Sequence, residues 1–318
     1  MSASETKLPN VVFILSDDQG AWAMGCGGSP EIRTPNLDRL AKTGIRFENF
    51  FCACPVCSPA RSSIFTGRIP SQHGVHDWIR IGNVHQADPD RVKVLGAVDR
   101  PIDYLEVLTA YTEILHTAGY YCALSRKWHM GDSQRPQKAF KHWFTHQWGG
   151  DHYYNASMVR DGKLYREPVY VSDAITEDAL EFIDTHYKEP APFYLSVHYT
   201  APHSPWGRDE HPKELVDSYI DNEFKSFPVE PDHPWHTDSR PQHTGERRQE
   251  LLAGFCSSIT AMDAGIGRIL DKLETLGLRE DTLVFFTSDN GMNMGHHGIW
   301  GKGNGTFPQN MYDTSVKI

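Results

Sequence analysis

The chain carries 318 residues, 39% hydrophobic and 23% charged, with a formal net charge of -10. Such a composition is globular, and the length fills one large α/β domain or two ordinary ones. The acidic balance argues against a general nucleic-acid binder, no apolar run approaches a membrane span, and six cysteines over this length do not make a disulfide framework.

Residues 1–10, MSASETKLPN, lack the apolar centre of a secretory leader. As written the chain reads as cytoplasmic; a periplasmic or secreted protein whose leader had been removed would read the same way. NVVFIL at 10–15 is a short β-branched run that predicts a buried strand, and Ser16, Asp17, Asp18 and Gln19 follow it. TPNLDRLAKTG at 34–44 predicts a helix with a threonine cap, a proline in its first turn and a glycine stop. CACPVCSPARSSIFTGRIPSQHGV at 52–75 gathers three of the six cysteines into six residues. DYLEVLTAYTEILHTAG at 103–119 predicts a second helix ending on glycine.

YYCALS at 120–125 predicts a second strand, followed by Arg126, Lys127, Trp128, His129, Met130 and Gly131. The aromatic stretch HWFTHQWGGDHYYN at 142–155 could stack on a sugar ring, but packing is the preferred reading. PFYLSVH at 192–198 predicts a third strand, leading into YTAPHSPW with His203. The stretch 227–248 is rich in proline, histidine and charge without periodicity, and reads as a surface insertion and substrate lid. Between 246 and 276, Phe255, Ile259, Met262, Ile266, Ile269 and Leu273 recur at spacings of three and four, the stripe of a long helix. TLVFFT at 282–287 predicts a fourth strand, followed by Ser288, Asp289, Asn290, Gly291 and then His296, His297 and Lys302.

Strands alternating with helices predict a large, mostly parallel or mixed α/β sheet with helices on both faces, carried in one domain over 1–318. Ligands bind such sheets beyond the carboxyl ends of the strands. Asp17, Asp18, Asp289 and Asn290 form an all-oxygen set there, suited to a hard cation, Ca²⁺ or Mg²⁺. Either pair alone could equally be a turn or a helix cap. Lys127 and His129, two apart, would face the same side of an extended loop. Lys127, His129, His203 and Lys302 are each ordinary surface residues when taken singly, and only their convergence suggests a site.

The cysteine cluster resists several readings. A phosphatase thiolate loop needs an arginine six positions after its cysteine, and positions 58, 60 and 63 are Ser, Ala and Ser. A zinc knuckle lacks a good fourth ligand, with His73 as its one candidate. A disulfide between Cys54 and Cys57 is disfavoured in a reducing compartment. Lys302 is followed by Gly303, so no phosphate-binding P-loop is present. The remaining pattern is C-x-P-x-R over Cys57, Pro59 and Arg61.

Taken in order, these segments resemble the type I sulfatases of the alkaline phosphatase superfamily, from residue 10 to the last residues. VVFILSDDQG resembles the family's first metal segment. CSPARSSIFTGR resembles the signature that directs oxidation of its cysteine to Cα-formylglycine. RKWHMG resembles G-K-W-H-x-G with Arg126 where glycine is usual, and APHSP and SDNGMNMGHHGIWGKG resemble the later segments.

The resemblance implies an alkaline phosphatase-like fold and a sulfuric ester hydrolase. Asp17, Asp18, Asp289 and Asn290 would hold Ca²⁺ (or Mg²⁺), which would also contact the diol derived from Cys57. A maturation enzyme would oxidise Cys57; one hydroxyl of its hydrate would attack sulfur and the other would later expel sulfate. Arg61 would stabilise the diol, and Lys127, His203 and Lys302 would bind substrate. His129 would act as base, and His203 with Lys302 would protonate the leaving alcohol. The implied substrate is a sulfated small molecule or glycan. His73, His76 and Asp77 are candidates for the cleft, and His296 and His297 flank the second metal segment; a structural role is as good a reading for each. Two rivals stand: a phosphonate or phosphate monoester hydrolase, in which Asp-His would be expected where Asp289-Asn290 stands, and an inert anion-binding fragment. MYDTSVKI at 311–318 reads as the approach to another core strand, and the smaller C-terminal subdomain found in the family is expected to be missing.

Overall fold

The computed structural model describes residues 7–85, 92–93 and 96–318. Seven strands form one sheet: β1 (Asn10–Ser16), β2 (Tyr121–Ser125), β3 (His142–His146), β4 (Ala156–Arg160), β5 (Lys163–Glu167), β6 (Phe193–His198) and β7 (Thr282–Ser288), in the order β5-β4-β3-β2-β6-β1-β7. From β3 to β7 the strands are parallel, while β4 and β5 add an antiparallel hairpin at one edge. The four predicted strands are thus neighbours, β2-β6-β1-β7. The hairpin was not anticipated: KLYRE in β5 is mostly exposed and polar, so it has no buried-strand pattern.

Side chains alternate between the two faces. Val12, Ile14, Ala123, Leu195 and Val197 enter the larger core. There they meet helices α1 (Pro35–Thr43), α4 (Val171–His186) and α5 (Gly245–Thr275). The predicted stripe of α5, from Phe255 to Leu273, is fully buried, which orients the helix along the sheet. The opposite face carries Cys122, Leu124 and Tyr194 into a second core with Phe65, Trp128, Phe140 and Trp143. This side is covered by α2 (Cys57–Thr66) and α3 (Tyr111–Thr117). Helix α4 went unread although Val171, Ile175, Ala179 and Phe182 follow helical spacing.

One expectation needs correction. The helix expected over 103–119 begins only at Tyr111. Before it, the Asp103 carboxylate accepts the Leu105 N–H at 3.0 Å and Asp103 bridges to Gly131, so local side-chain bonding displaces the first helical turns. The Glu113 carboxylate then accepts the Ala110 N–H at 2.8 Å, marking the true start. The closing segment makes a helical turn, Asp313–Val316, and Lys317 then forms an antiparallel bridge with Phe51. It is tied by the Cys52 N–H to Val316 carbonyl and the Ile318 N–H to Phe50 carbonyl, 2.9 and 3.0 Å.

Residues 228–244 carry no helix or strand and are largely exposed; the helix α5 takes over at Gly245. They lean on the loop after β7, where the His233 N–H donates to the Gly298 carbonyl and the Thr237 N–H to the Gly305 carbonyl. Among the described residues no helix is long and apolar enough to cross a membrane.

Candidate active site

The register of the sheet brings the carboxylates together. Ser16 at the end of β1 pairs with Ser288 at the end of β7. The residues that follow, Asp17–Asp18 and Asp289–Asn290, therefore leave adjacent strands at one height. The Asp289 N–H donates to the Ser16 carbonyl at 3.2 Å, and the Asp18 N–H donates to Asp289 Oδ1 at 3.1 Å. Asp18 adopts a left-handed φ of 63°, a conformation aspartate tolerates better than most residues.

Cys57 is the first residue of α2, after an extended Val56. Pro59 in the first turn removes an N–H that has no intrahelical acceptor anyway. The Cys57 sulfur lies 3.4 Å from Asp17 Oδ1, 3.7 Å from Asp18 Oδ1 and 2.6 Å from Lys302 Nζ. One turn further, Arg61 donates from Nε to Asp289 Oδ2 at 2.8 Å and from Nη1 to the Lys127 carbonyl at 2.9 Å, with Nη2 3.6 Å from Asp17. Lys127 contacts Asp17, and Lys302 reaches both Asp18 oxygens at 2.7 and 2.8 Å. Asp17, Asp18 and Lys302 thus touch residue 57, Arg61 and Lys127 pair with Asp17, and Asp17, Asp289, Arg61 and Lys127 are wholly buried.

Such burial makes charge neighbours decisive. Burial opposes ionisation of Asp18, yet Lys302 and His203 outweigh it and hold the carboxyl below its ordinary value. Burial likewise opposes the Lys302 charge, but Asp18, Cys57 and Asp289 raise its pKa. The Cys57 thiol is pushed up, first by burial and then by Asp18 and Asp289 against the pull of Lys302. An unmodified Cys57 is therefore a protonated, poor nucleophile here. Burial drives Lys127 well below ordinary lysine values, with Asp289 opposing.

The residues suit a hard cation. Ligand atoms of Asp17, Asp18, Cys57 and His203 lie within 4.8 Å of one another. Asn290 donates from Nδ2 to Asp18 Oδ1 at 2.8 Å, which leaves its side-chain oxygen, Oδ1, buried without a partner among the described residues. A buried acceptor without a donor beside paired carboxylates is what an oxygen-seeking ion would complete. Asp289 differs from the expectation in detail: its oxygens are taken by Arg61 and by the Asp18 and Asn290 N–H groups.

The loop after β2 is coiled rather than extended, with Arg126 and His129 at φ 83° and 53°. It still delivers Lys127 and His129 to the site. His129 donates from Nε2 to the Ile79 carbonyl at 3.2 Å, because a carbonyl can only accept. Its Nδ1 is then an unprotonated, buried nitrogen without a partner among the described residues. Burial, with Lys127 and Arg61, keeps this imidazole well below its usual pKa, hence neutral. His203 donates from Nδ1 to the Ser204 carbonyl at 2.6 Å and turns Nε2 toward Asp18, 3.7 Å away. Burial brings its pKa to about 4 despite Asp18.

Sequence reading missed Gly149 and Gly150. A Cβ on Gly149 would stand 2.1 Å from the His129 ring, and one on Gly150 2.9 Å from the His203 ring. The pair of glycines just after β3 was the available signal; the aromatic stretch was treated as packing. That holds for its strand, where Trp143 is buried in the second core. Other candidates lie apart. His73 bonds Ser63 and Val75, His296 packs on Trp22 and His297 stacks on Tyr312. All six cysteines are free of disulfides, and among the described residues the group able to hold a metal joins Cys57 to Asp17, Asp18 and His203 rather than to Cys52, Cys54 or His73.

Known proteins share this arrangement of segments. The sulfatase family profile matches residues 9–314. The N-acetylglucosamine-6-O-sulfatase of Bacteroides thetaiotaomicron is 27% identical over 94% of this chain and 61% of its own length. The ulvan-active sulfatase of Formosa agariphila is 30% identical over 93% and 53%, and human arylsulfatase A 30% over 92% and 54%. The chain therefore spans little more than half the length of these relatives. A structure solved with its substrate, D-glucosamine-2-N,6-O-disulfate, superposes with a TM-score of 0.71 at 25% identity, covering 93% of this chain and 68% of that one. A Bacteroides fragilis structure gives 0.74 at 25% identity over 100% and 68%. The sheet is thus the alkaline phosphatase-like one, and the chain belongs to the sulfatase family.

Proposed function

We propose that the chain hydrolyses a sulfate ester of a glycan, releasing inorganic sulfate and an alcohol. The observation that carries this reading is the meeting at Cys57 of the two aspartates that follow β1 and a lysine from the loop after β7, with the α2 arginine facing one of those aspartates. Membership of the sulfatase family and relatives named for sulfated sugars support it.

The reading includes oxidation of Cys57 to formylglycine by a maturation enzyme and a bound Ca²⁺ or Mg²⁺ on Asp17, Asp18, Asp289 and Asn290. When present, the hydrated aldehyde supplies an oxygen nucleophile and the cation a positive charge beside it. The remaining tasks fall to the chain's own side chains. Arg61 fixes Asp289 and balances the charge of Asp17. Lys127 and Lys302 present ammonium groups where sulfate oxygens would rest, in a site dry enough to strengthen the attraction. His129, neutral with Nδ1 bare, accepts a proton. His203 is neutral at pH 7, so Lys302 carries the proton of the pair that faces the leaving oxygen.

The test is sulfate release by the full chain, produced with a maturation enzyme, from sulfated N-acetylhexosamines, an aryl sulfate and an aryl phosphonate. The proposal expects sulfate from a sulfated sugar and little turnover of phosphonate. Preferred phosphonate cleavage would overturn it.

A further inference from the structure

Residues 78–80 lie against the catalytic group without belonging to it. Ile79 is buried and held at both ends of its peptide: its N–H donates to Ser58 Oγ at 3.1 Å, and its carbonyl accepts from His129 Nε2 at 3.2 Å. Ser58 directly follows Cys57, so this short strap spans the nucleophile position and the base. Pinning Ile79 fixes its neighbour. The Trp78 ring stands edge-on to the His129 ring at 6.2 Å, and the Arg80 guanidinium lies 5.8 Å from the indole centre. His129 is only 1% exposed, whereas Trp78 remains 46% exposed. A large aromatic ring held beside a reacting centre, yet left in water, has an unspent apolar face.

We propose that Trp78 is the stacking platform for the sugar ring that bears the scissile sulfate, and so a substrate-binding residue selecting cyclic, pyranose-type sulfates over acyclic ones. The proposal rests on the glycan sulfatase reading above. A pyranose presents a flat patch of C–H bonds that packs on indole, while its hydroxyls stay hydrated at the rim. The platform works on binding: the contact of Trp78 with the proposed base is a T-shaped ring contact with His129 at 6.2 Å.

The test compares wild type, Trp78→Phe and Trp78→Ala in the full matured chain, on a sulfated N-acetylhexosamine and on a small acyclic alkyl sulfate. Trp78→Ala should raise KM for the sugar about 10-fold, matching the energy of an aromatic contact, with kcat within about threefold. KM for the acyclic ester and the pH profile of kcat/KM should not move, and Trp78→Phe should recover most of the sugar affinity. Equal KM changes on both substrates, or a fall in kcat with a shifted pH profile, would mean that Trp78 merely packs His129 and would overturn the proposal. If wild type releases no sulfate from any ester, the glycan sulfatase reading fails. The platform is then judged by saturation-transfer NMR with unsulfated N-acetylhexosamine. Transfer to the sugar from wild type that disappears in Trp78→Ala supports it, and no transfer from wild type overturns it.

Discussion

Arg61 and Arg126 are both completely buried, in contrary settings. Arg61 has Asp289 at 2.8 Å and Asp17 at 3.6 Å. The Arg126 guanidinium makes one long hydrogen bond, from Nη1 to the Val171 carbonyl at 3.3 Å, and its Nε and Nη2 have no partner among the described residues. No carboxylate among the described residues forms an ion pair with it. Burial pulls its pKa down to about 9, only partly resisted by Tyr153 and Asp151. Arg126 also holds a left-handed φ of 83°, at the position where the family pattern has glycine. The contrast separates a buried charge that organises a site from one that only costs stability.

Removing the organised charge should have the largest effect. Arg61→Met should lower sulfate release by ~100-fold or more and destabilise the fold by about 3–5 kcal/mol, because Asp289 and Asp17 lose their counter-charge. Steady-state kinetics and denaturant unfolding check both parts. Gly149→Ala should come next, with kcat falling by about 10-fold or more as the new methyl displaces the His129 ring. Arg126→Met should act in the opposite direction, stabilising by about 1–3 kcal/mol in denaturant unfolding with sulfate release within about 10-fold of wild type. A destabilised Arg126→Met would break the comparison and give that guanidinium a partner.

A smaller effect concerns pH. His211 is buried and neutral, accepting from Tyr170 OH at 3.0 Å on Nδ1 and donating from Nε2 to the Pro205 carbonyl at 3.1 Å. Burial lowers its pKa from 6.5 to about 4. Between those values the unfolded chain binds the extra proton, so the stability contribution is complete above pH 6.5 and is lost as pH falls toward 4. Wild type should lose about 2 kcal/mol more than His211→Gln between pH 7.5 and pH 5. The smallest change in stability is expected on the outer face of β7, where Leu283 and Phe285 are 51% and 48% exposed. Replacing both with lysine should move stability by less than about 0.5 kcal/mol but reduce self-association in analytical ultracentrifugation.

The site was legible where chemistry and topology coincide. The four apolar runs are the central strands, and of the polar residues after them Asp17, Asp18, His203 and Lys302 gather at Cys57. The edge hairpin was not legible, because β5 is polar and exposed and its pairing is a property of the sheet. Nor were the glycines against His129 and His203, since their role is the absence of a side chain at a distance set by another loop. The turn at 313–316 was not read, because its hydrogen bonds run to residues 50 and 52, far away in the chain.

The central claim is that residue 57 acts as an oxidised oxygen nucleophile within a ring of fixed charges. Mass spectrometry of the proteolytic peptide containing residue 57, taken from a preparation that releases sulfate, tests it directly. The account predicts a peptide ~18 Da lighter than the cysteine form, the change from thiol to aldehyde. Full sulfatase activity from protein in which residue 57 remains an intact thiol throughout would contradict it.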